Sequence, residues 1–222
     1  MKKPPQYAQR IKKLYAALKK GAEKPKKITH EDLIESMVFA SLCQDCSESA
    51  AKTALRKIQA HFVDFNDLRV ARVEEIVEVI GNDMSSADKA AVKVIAMLNA
   101  IFQKYDSLIT ENIVGTGKKG IKEVLEKMTG VTDFVKNFVY LTFLNGHAVP
   151  ITDKMIEYFK AYDLVDKEWD NAQINAFIEK QVSASEAYTF YSLIRHDSEL
   201  ASPKAAQILN EDKKEKTAKP KA

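Results

Sequence analysis

A turn between two predicted helices, around residues 128 to 133, carries side chains and backbone that could bind a phosphate group. Helical spacing on both sides of this turn breaks at Thr129 and Gly130, which predicts a helix, a short turn and a second helix. Gly130 can adopt the left-handed backbone of a tight turn, and Thr132 or Asp133 can cap the second helix. The unpaired N–H groups and positive dipole end of a helix N-terminus suit a phosphate, which in such a hairpin is that of a nucleic-acid backbone. A plain corner between two helices is the alternative interpretation.

Two further motifs could carry chemistry, and neither has the setting that its chemistry needs. Cys43 and Cys46 form a CxxC, but a redox site needs a preceding strand, and a zinc site needs a second ligand pair at short spacing. The four histidines are scattered along the chain. We therefore expect no metal and no cofactor, and we interpret the cysteines as small residues at the end of a buried helix.

The second motif is the glycine pattern GxGxxG formed by Gly115, Gly117 and Gly120. A dinucleotide site would need this pattern to follow a strand and to open the helix of a βαβ unit. No strand pattern precedes it. The segment is interpreted as a flexible loop that leads into the first helix of the hairpin at Ile121.

Helical patterning extends over nearly the whole chain, and no segment alternates with the period of a strand, so the predicted fold class is all-α. We expect two helical lobes, one of which combines the N-terminal helix with the last three helices. Helices are predicted over residues 6–20, 74–80, 153–161, 170–182 and 185–200, with the helical hairpin over 121–144. Three further helices are predicted from their first residues: one opened by a capping box of Thr29 with Asp32, one capped by Ser47, and one starting at Ser85 or Ser86. The helix over 74–80 ends at Gly81.

Composition places the chain among globular proteins. Its 222 residues, of which 45% are hydrophobic, suffice for one fairly large domain or two small lobes. It has no apolar run of about 18 residues and no signal-peptide pattern, so we expect a cytoplasmic protein without membrane association. We also expect a monomer.

Positive charge is concentrated at the two ends of the chain. Residues 1–27 hold ten Lys or Arg and one acidic residue, residues 201–222 hold six Lys and three acidic residues, and the centre is acidic. Any affinity for a polyanion must therefore come from the ends and a local patch. We expect a basic N-terminal helix and linker over 1–27, a helical domain over 28–200 and a disordered Lys-rich tail over 201–222. Solubilising tails are the alternative reading of these ends.

Four stretches together resemble the helix-hairpin-helix DNA glycosylase superfamily, of which endonuclease III is the familiar member. Ser41-Leu-Cys-Gln44-Asp is similar to a helix end whose glutamine reaches into DNA, and Gly81 with Lys89-Ala90 is similar to the next Gly…Lys-Ala element. Met128-Thr-Gly-Val-Thr132 stands in place of Leu-Pro-Gly-Val-Gly, and Gly146 to Asp153 in place of the segment before a Val-Asp-Thr-His helix start. The resemblance implies base excision repair on double-stranded DNA, damaged or abasic, with DNA-binding residues Gln44, Lys89, Gly130, Val131, Thr132 and Asp133.

The departures from this family fall on its chemistry. Phe134 stands where the bifunctional members have a lysine that attacks the sugar, and a phenyl ring cannot form a Schiff base. Thr152 stands where the family has a catalytic aspartate; it can cap a helix but cannot act as a base. Asp153 is the nearest replacement, and it would be aimed correctly only if the helix started one residue later. The iron-sulfur cysteines are absent, and Thr132 replaces a hairpin glycine.

Three hypotheses remain open at this stage. The first is a DNA-binding member of the superfamily with a degraded catalytic site. The second is a monofunctional DNA glycosylase that uses Asp153 and lacks lyase activity. The third is a helical protein-interaction domain without a nucleic-acid role, and fold analogy alone does not separate the three.

Overall fold

The computed structural model describes residues 4–30, 32–81, 84, 86–128 and 130–209. These residues form an all-helical structure, and no strand occurs among them. None of the described helices is long and apolar enough to cross a membrane. The helices are α1 Pro4–Lys20, α2 Leu33–Cys43, α3 Glu48–His61, α4 Phe65–Val70, α5 Val73–Ile80, α6 Ala87–Tyr105, α7 Glu111–Val114, α8 Gly117–Glu126, α9 Asp133–Thr142, α10 Asp153–Ala161, α11 Asn171–Glu179 and α12 Ala187–Glu199.

The chain divides into two compact units. The central unit is Ile28–Gly146, and the terminal unit combines Met1–Lys27 with His147–Ala222. The terminal unit thus contains α1 together with α10, α11 and α12. This composition confirms the prediction that the N-terminal helix joins the last three helices in one lobe.

In the central unit, α2 is the buried helix around which the others pack. Every residue of α2 except Glu35 is buried, and the helix contacts α3, α6 and α9. Its aromatic centre is Phe39, whose ring lies 5.7 Å from that of Phe138 in α9, measured between centroids. Because α2 ends at Cys43 and α9 begins at Asp133, this packing fixes where the turn after α2 lies relative to the hairpin.

Local side-chain chemistry explains where several helices begin. Asp32 caps α2 by accepting a hydrogen bond from the backbone N–H of Glu35 at 2.9 Å, so the predicted start at Thr29 is wrong by three residues. Ser47 caps α3, as predicted, by accepting from the N–H of Ala50. Ser85, one of two residues proposed to start α6, lies outside the described residues.

The segment before the hairpin also differs from the prediction. Residues 111–114 form the short helix α7, and α8 begins at Gly117 rather than at Ile121. Gly117 takes a positive φ of 70° where the chain passes from α7 to α8. Gly115 and Gly117 therefore lie at the connection between α7 and α8, and Gly120 lies inside α8; no strand precedes them in the described part of the chain.

In the terminal unit, α1 is an integral element rather than an appendage. Tyr7, Ile11, Leu14 and Leu18 are buried along one face of α1, which packs against α12. Arg10 donates to the carbonyl oxygens of Tyr162 and Asp163, just after α10, at 2.8 and 3.1 Å. The segment 1–27 therefore contributes to a hydrophobic core, and its basic residues are carried on a fixed helix.

The beginning of the predicted tail is ordered. Residues 204–209 are helical, with Ala205 and Leu209 buried. The carboxylate of the buried Asp197 accepts hydrogen bonds from the backbone N–H groups of Lys204 and Ala205 at 2.8 and 3.2 Å. The expectation of disorder from residue 201 onward is thus wrong for residues 201–209, and residues 210–222 lie outside the described part.

Candidate nucleic-acid interface

The hairpin turn joins α8 to α9 and is exposed at its glycine. Gly130 has a φ of 82°, in the left-handed region that glycine tolerates best. A Cβ atom placed on Gly130 would meet nothing closer than the Cβ of Ala100 at 3.6 Å, so the backbone conformation rather than space requires glycine. Val131 is buried beside it, and Thr129 lies outside the described residues. The turn therefore has the backbone geometry that the sequence predicts for a tight hairpin.

Thr132 links the hairpin to the end of α2. Its hydroxyl caps α9 by accepting from the backbone N–H of Val135 at 3.3 Å. The same hydroxyl donates to the side-chain oxygen of Gln44 at 2.8 Å. Gln44 directly follows α2, 88 residues away in sequence, so the structure brings together two of the four stretches that carry the resemblance.

The turn that carries Gln44 is also fastened to α6. The carboxylate of Asp45 is paired with the ammonium group of Lys93, and both side chains are about a quarter to a third exposed. The hydroxyl of Ser86 donates to the backbone oxygen of Asp45 at 3.3 Å. The sequence names Ser86 only as a candidate helix start and Asp45 only within the resemblance, and Lys93 is not among its predicted site residues, because nothing in the chain order shows that α6 lies against this turn.

The two charged residues of the predicted DNA-binding set are Lys89 and Asp133, and both are exposed. Lys89 is exposed on α6, four residues before Lys93 and hence on the same side of that helix. Asp133 is exposed in the first turn of α9, where its carboxylate lies 3.4 Å from the ammonium group of Lys136. An acidic residue at this position stabilises α9 by interacting with the positive end of the helix dipole, but its charge does not attract a phosphate.

Phe134 is a core residue. Its side chain is buried, and its ring stacks on Phe138 with 5.9 Å between centroids and 28° between planes. The amine nearest in sequence is that of Lys136, which is engaged with Asp133. Phe134 is therefore an apolar residue of the core of the central unit, and it offers no amine.

Thr152 and Asp153 start α10 in the terminal unit. The hydroxyl of Thr152 accepts from the backbone N–H of Met155 at 3.2 Å, which makes Thr152 the N-cap. Thr152 is buried, whereas Asp153 is exposed as the first helical residue. The helix start is not displaced by one residue, and Asp153 is not the N-cap.

The exposed face of α1 presents a group of lysines. Lys12, Lys13 and Lys20 are exposed opposite the buried stripe of the helix. Lys19 donates to the carboxylate of Glu186 at 2.6 Å, and this bond, followed by one from the hydroxyl of Tyr15, lowers the pKa of Glu186. The charge of Lys19 is partly neutralised in this way.

The cysteines do not fit a metal cluster. Cys43 is buried at the end of α2, and the Sγ of Cys46 donates to the backbone oxygen of Leu42 at 3.1 Å. A four-cysteine iron-sulfur site needs twice the two cysteines that this chain contains. Among the described residues, no group of three or more His, Cys, Asp or Glu side chains is placed to hold a metal ion.

Comparison with known proteins gives matches in structure only. The sequence matches no protein-family model and no curated protein sequence. A non-covalent endonuclease III–DNA complex is similar with a TM-score of 0.66 and 14% identity, over 98% of this chain and 100% of that chain. The H. pylori 3-methyladenine DNA glycosylase MagIII bound to 1,N6-ethenoadenine has a TM-score of 0.59 and 17% identity, over 86% of this chain and 96% of that chain.

A third structure extends this set to another substrate class. The Clostridium acetobutylicum 8-oxoguanine glycosylase/lyase in complex with double-stranded DNA has a TM-score of 0.62 and 13% identity, over 89% of this chain and 71% of that chain. At such identities the likeness shows the fold alone. The chain has the all-α fold of the helix-hairpin-helix DNA glycosylases, which confirms the predicted fold class.

Proposed function

We propose that this protein binds double-stranded DNA, damaged or abasic, through its hairpin and the turn that carries Gln44, and that it lacks lyase activity. The observation that carries the proposal is the hydrogen bond between Thr132 and Gln44, because it joins the two DNA-binding stretches of the resemblance in one unit. The exposed, left-handed Gly130 beside this bond leaves backbone accessible for a phosphate.

The absence of lyase activity follows from the residue types at the position of the nucleophile. A lyase needs an unprotonated amine at the opened sugar to form an imine. Phe134 offers none and is held in the core by its ring stack, while Lys136 is two residues further on and paired with Asp133. Two helical positions correspond to a rotation of about 200°, so Lys136 is a poor substitute.

A monofunctional glycosylase is the second candidate. Its carboxylate would be that of Asp153, which is exposed, although Thr152 and not Asp153 is the N-cap of α10. Base excision without strand cleavage needs a carboxylate near the anomeric carbon and no amine. Asp153→Asn tests this candidate across a panel of lesions. Excision by the wild type that is lost in the variant would replace the proposal by this second function.

The experiment that tests the proposal compares two fluorescent duplexes of the same sequence, one intact and one with a stable abasic-site analogue, over a salt series. We expect both to bind more weakly as salt rises and the abasic duplex to bind more tightly at every salt concentration. Gly130→Trp, which forces a large side chain onto the turn, should weaken binding to both. The proposal would be contradicted if neither duplex bound, if the two duplexes bound with equal affinity, or if the affinity did not depend on salt. Each of these results would favour an interaction domain.

A further inference from the structure

The turn after α2, residues Gln44 to Ser47, is held by side chains of two other helical elements. Thr132 bonds the side chain of Gln44, Lys93 pairs with the side chain of Asp45, and Ser86 bonds the Asp45 backbone. The side chain of Gln44 is half-buried, and without these contacts it would sample several rotamers, whose exclusion on ligand binding costs free energy. Fixing it in advance removes that cost from binding.

We infer that Thr132 is a positioning residue: its hydroxyl holds the Gln44 side chain in one orientation for contact with DNA. This inference rests on the proposed function. The geometry suits the role because a single hydroxyl makes both bonds, accepting from the N–H of Val135 and donating to Gln44. Its direction is thereby set by the α9 backbone, and the orientation of Gln44 follows from the start of a helix rather than from a mobile side chain.

The Lys93–Asp45 pair supports the same arrangement electrostatically. An unpaired carboxylate next to Gln44 would repel a phosphate backbone, and Lys93 neutralises it at short range. Lys93 also ties the turn to α6, the helix that carries Lys89. The turn thus meets DNA already ordered and without net negative charge at Asp45.

The test is a double-mutant cycle measured as affinity for the abasic-analogue duplex, with Thr132→Val, Gln44→Ala and the double variant. Valine keeps the shape of threonine and suits the extended backbone of residue 132, so the change removes the hydroxyl alone. We expect Thr132→Val to weaken binding about fivefold, the scale of one lost hydrogen bond. In the Gln44→Ala background the same change should alter binding by less than about twofold, because the hydroxyl then has no amide to hold.

Two controls separate positioning from stability. Thr142→Val removes a buried hydroxyl at the other end of α9, where it donates to the oxygen of Phe138 at 2.7 Å, and should leave affinity unchanged. Thr132→Ser should retain wild-type affinity within about twofold, since it keeps the hydroxyl. Thermal unfolding of each variant sets the temperature at which all are folded during the binding measurement.

The possible outcomes are distinguishable. If the wild type does not bind either duplex, the proposed function fails, and this inference fails with it. If the wild type binds but Thr132→Val binds as tightly or more tightly, only the positioning role is overturned. The same holds if Thr132→Val lowers the affinity by the same factor in the wild-type and Gln44→Ala backgrounds.

Discussion

At the scale of single residues, the hairpin combines a left-handed glycine turn with a threonine cap and a buried aromatic ring. Gly130 supplies the left-handed turn, while the hydroxyl of Thr132 bonds both the backbone of α9 and the side chain of Gln44. Phe134, two residues on, belongs to the ring cluster of the core. The hairpin thus presents an exposed glycine turn, and the first turn of α9 behind it carries a buried phenyl ring.

Gly130→Ala should destabilise the protein by about 1–2 kcal/mol, because alanine resists a left-handed backbone. The added Cβ meets only ordinary contacts, the nearest at 3.6 Å, so steric overlap adds little. Chemical denaturation measures the loss. Gly21→Ala is the matched control, since a Cβ there meets nothing within 4 Å and its backbone is not left-handed. Equal stability of the two variants would show that the turn at Gly130 does not require glycine.

At the scale of elements, caps and long-range contacts decide which sequence predictions succeed. The hairpin, α10 and the cap at Ser47 follow from local patterns, and the structure contains them where expected. Thr29 and Asp32 are both good cap residues, and in the structure Asp32 is the N-cap of α2. The contact between Gln44 and Thr132 and the pair of Asp45 with Lys93 depend on tertiary packing, and no local pattern predicts them.

The choice between the two caps predicts a simple contrast. Asp32→Ala should lower the free energy of unfolding by about 1 kcal/mol because it removes the acceptor for the N–H of Glu35. Thr29→Ala should change stability by less than about 0.5 kcal/mol, as for an exposed residue outside a helix. Urea denaturation of both variants checks the contrast, and the reverse order would move the start of α2 back to Thr29.

The end of the terminal unit depends on the buried bond between Tyr158 and Asp197. The hydroxyl of Tyr158 donates to the Asp197 carboxylate at 2.6 Å, and that carboxylate also accepts from the backbone of residues 204 and 205. Burial, followed by this hydrogen bond, raises the pKa of Tyr158 well above its ordinary value of 10.0. The neutral phenol is thus the form that the folded state favours.

This direction of shift fixes the pH dependence of stability. The contribution of Tyr158 is complete below pH 10.0, its unfolded pKa, and is lost as pH rises toward its raised folded pKa. Tyr158→Phe should cost about 1 kcal/mol at pH 7, and the gap to the wild type should narrow above about pH 10. Tyr162→Phe, whose ring packs 5.1 Å from that of Tyr158, is the control. A gap that stays constant from pH 7 to 11 would contradict the role of the phenol proton.

At the scale of the whole molecule, the centre of the chain is acidic, so any affinity for DNA must come from basic residues near the chain ends and from a local patch. Because α1 is part of a core, deletion of residues 1–27 would unfold the terminal unit, and the lysines must instead be neutralised in place. Changing Lys12, Lys13 and Lys20 to Gln together should lower the salt slope of duplex binding by about 1–3, at roughly 0.9 per phosphate contact.

The matched control for this change neutralises the same number of exposed lysines elsewhere. Lys104 at the end of α6 and Lys167 and Lys180 on either side of α11 are suitable, since all three are exposed. We expect the control to change the slope less than the α1 variant does. Equal slopes would mean that the α1 lysines serve only as a solubilising face.

The central claim is that the protein binds abasic DNA without cleaving it, and one measurement tests both halves. A duplex with a natural abasic site is incubated with the protein and borohydride, then divided between a native gel and a denaturing gel. The account predicts a retarded complex in the native gel, and an intact strand with no covalent adduct in the denaturing gel, because Phe134 cannot form the imine that borohydride would trap. A trapped adduct, a cleaved strand, or an unretarded duplex would contradict it.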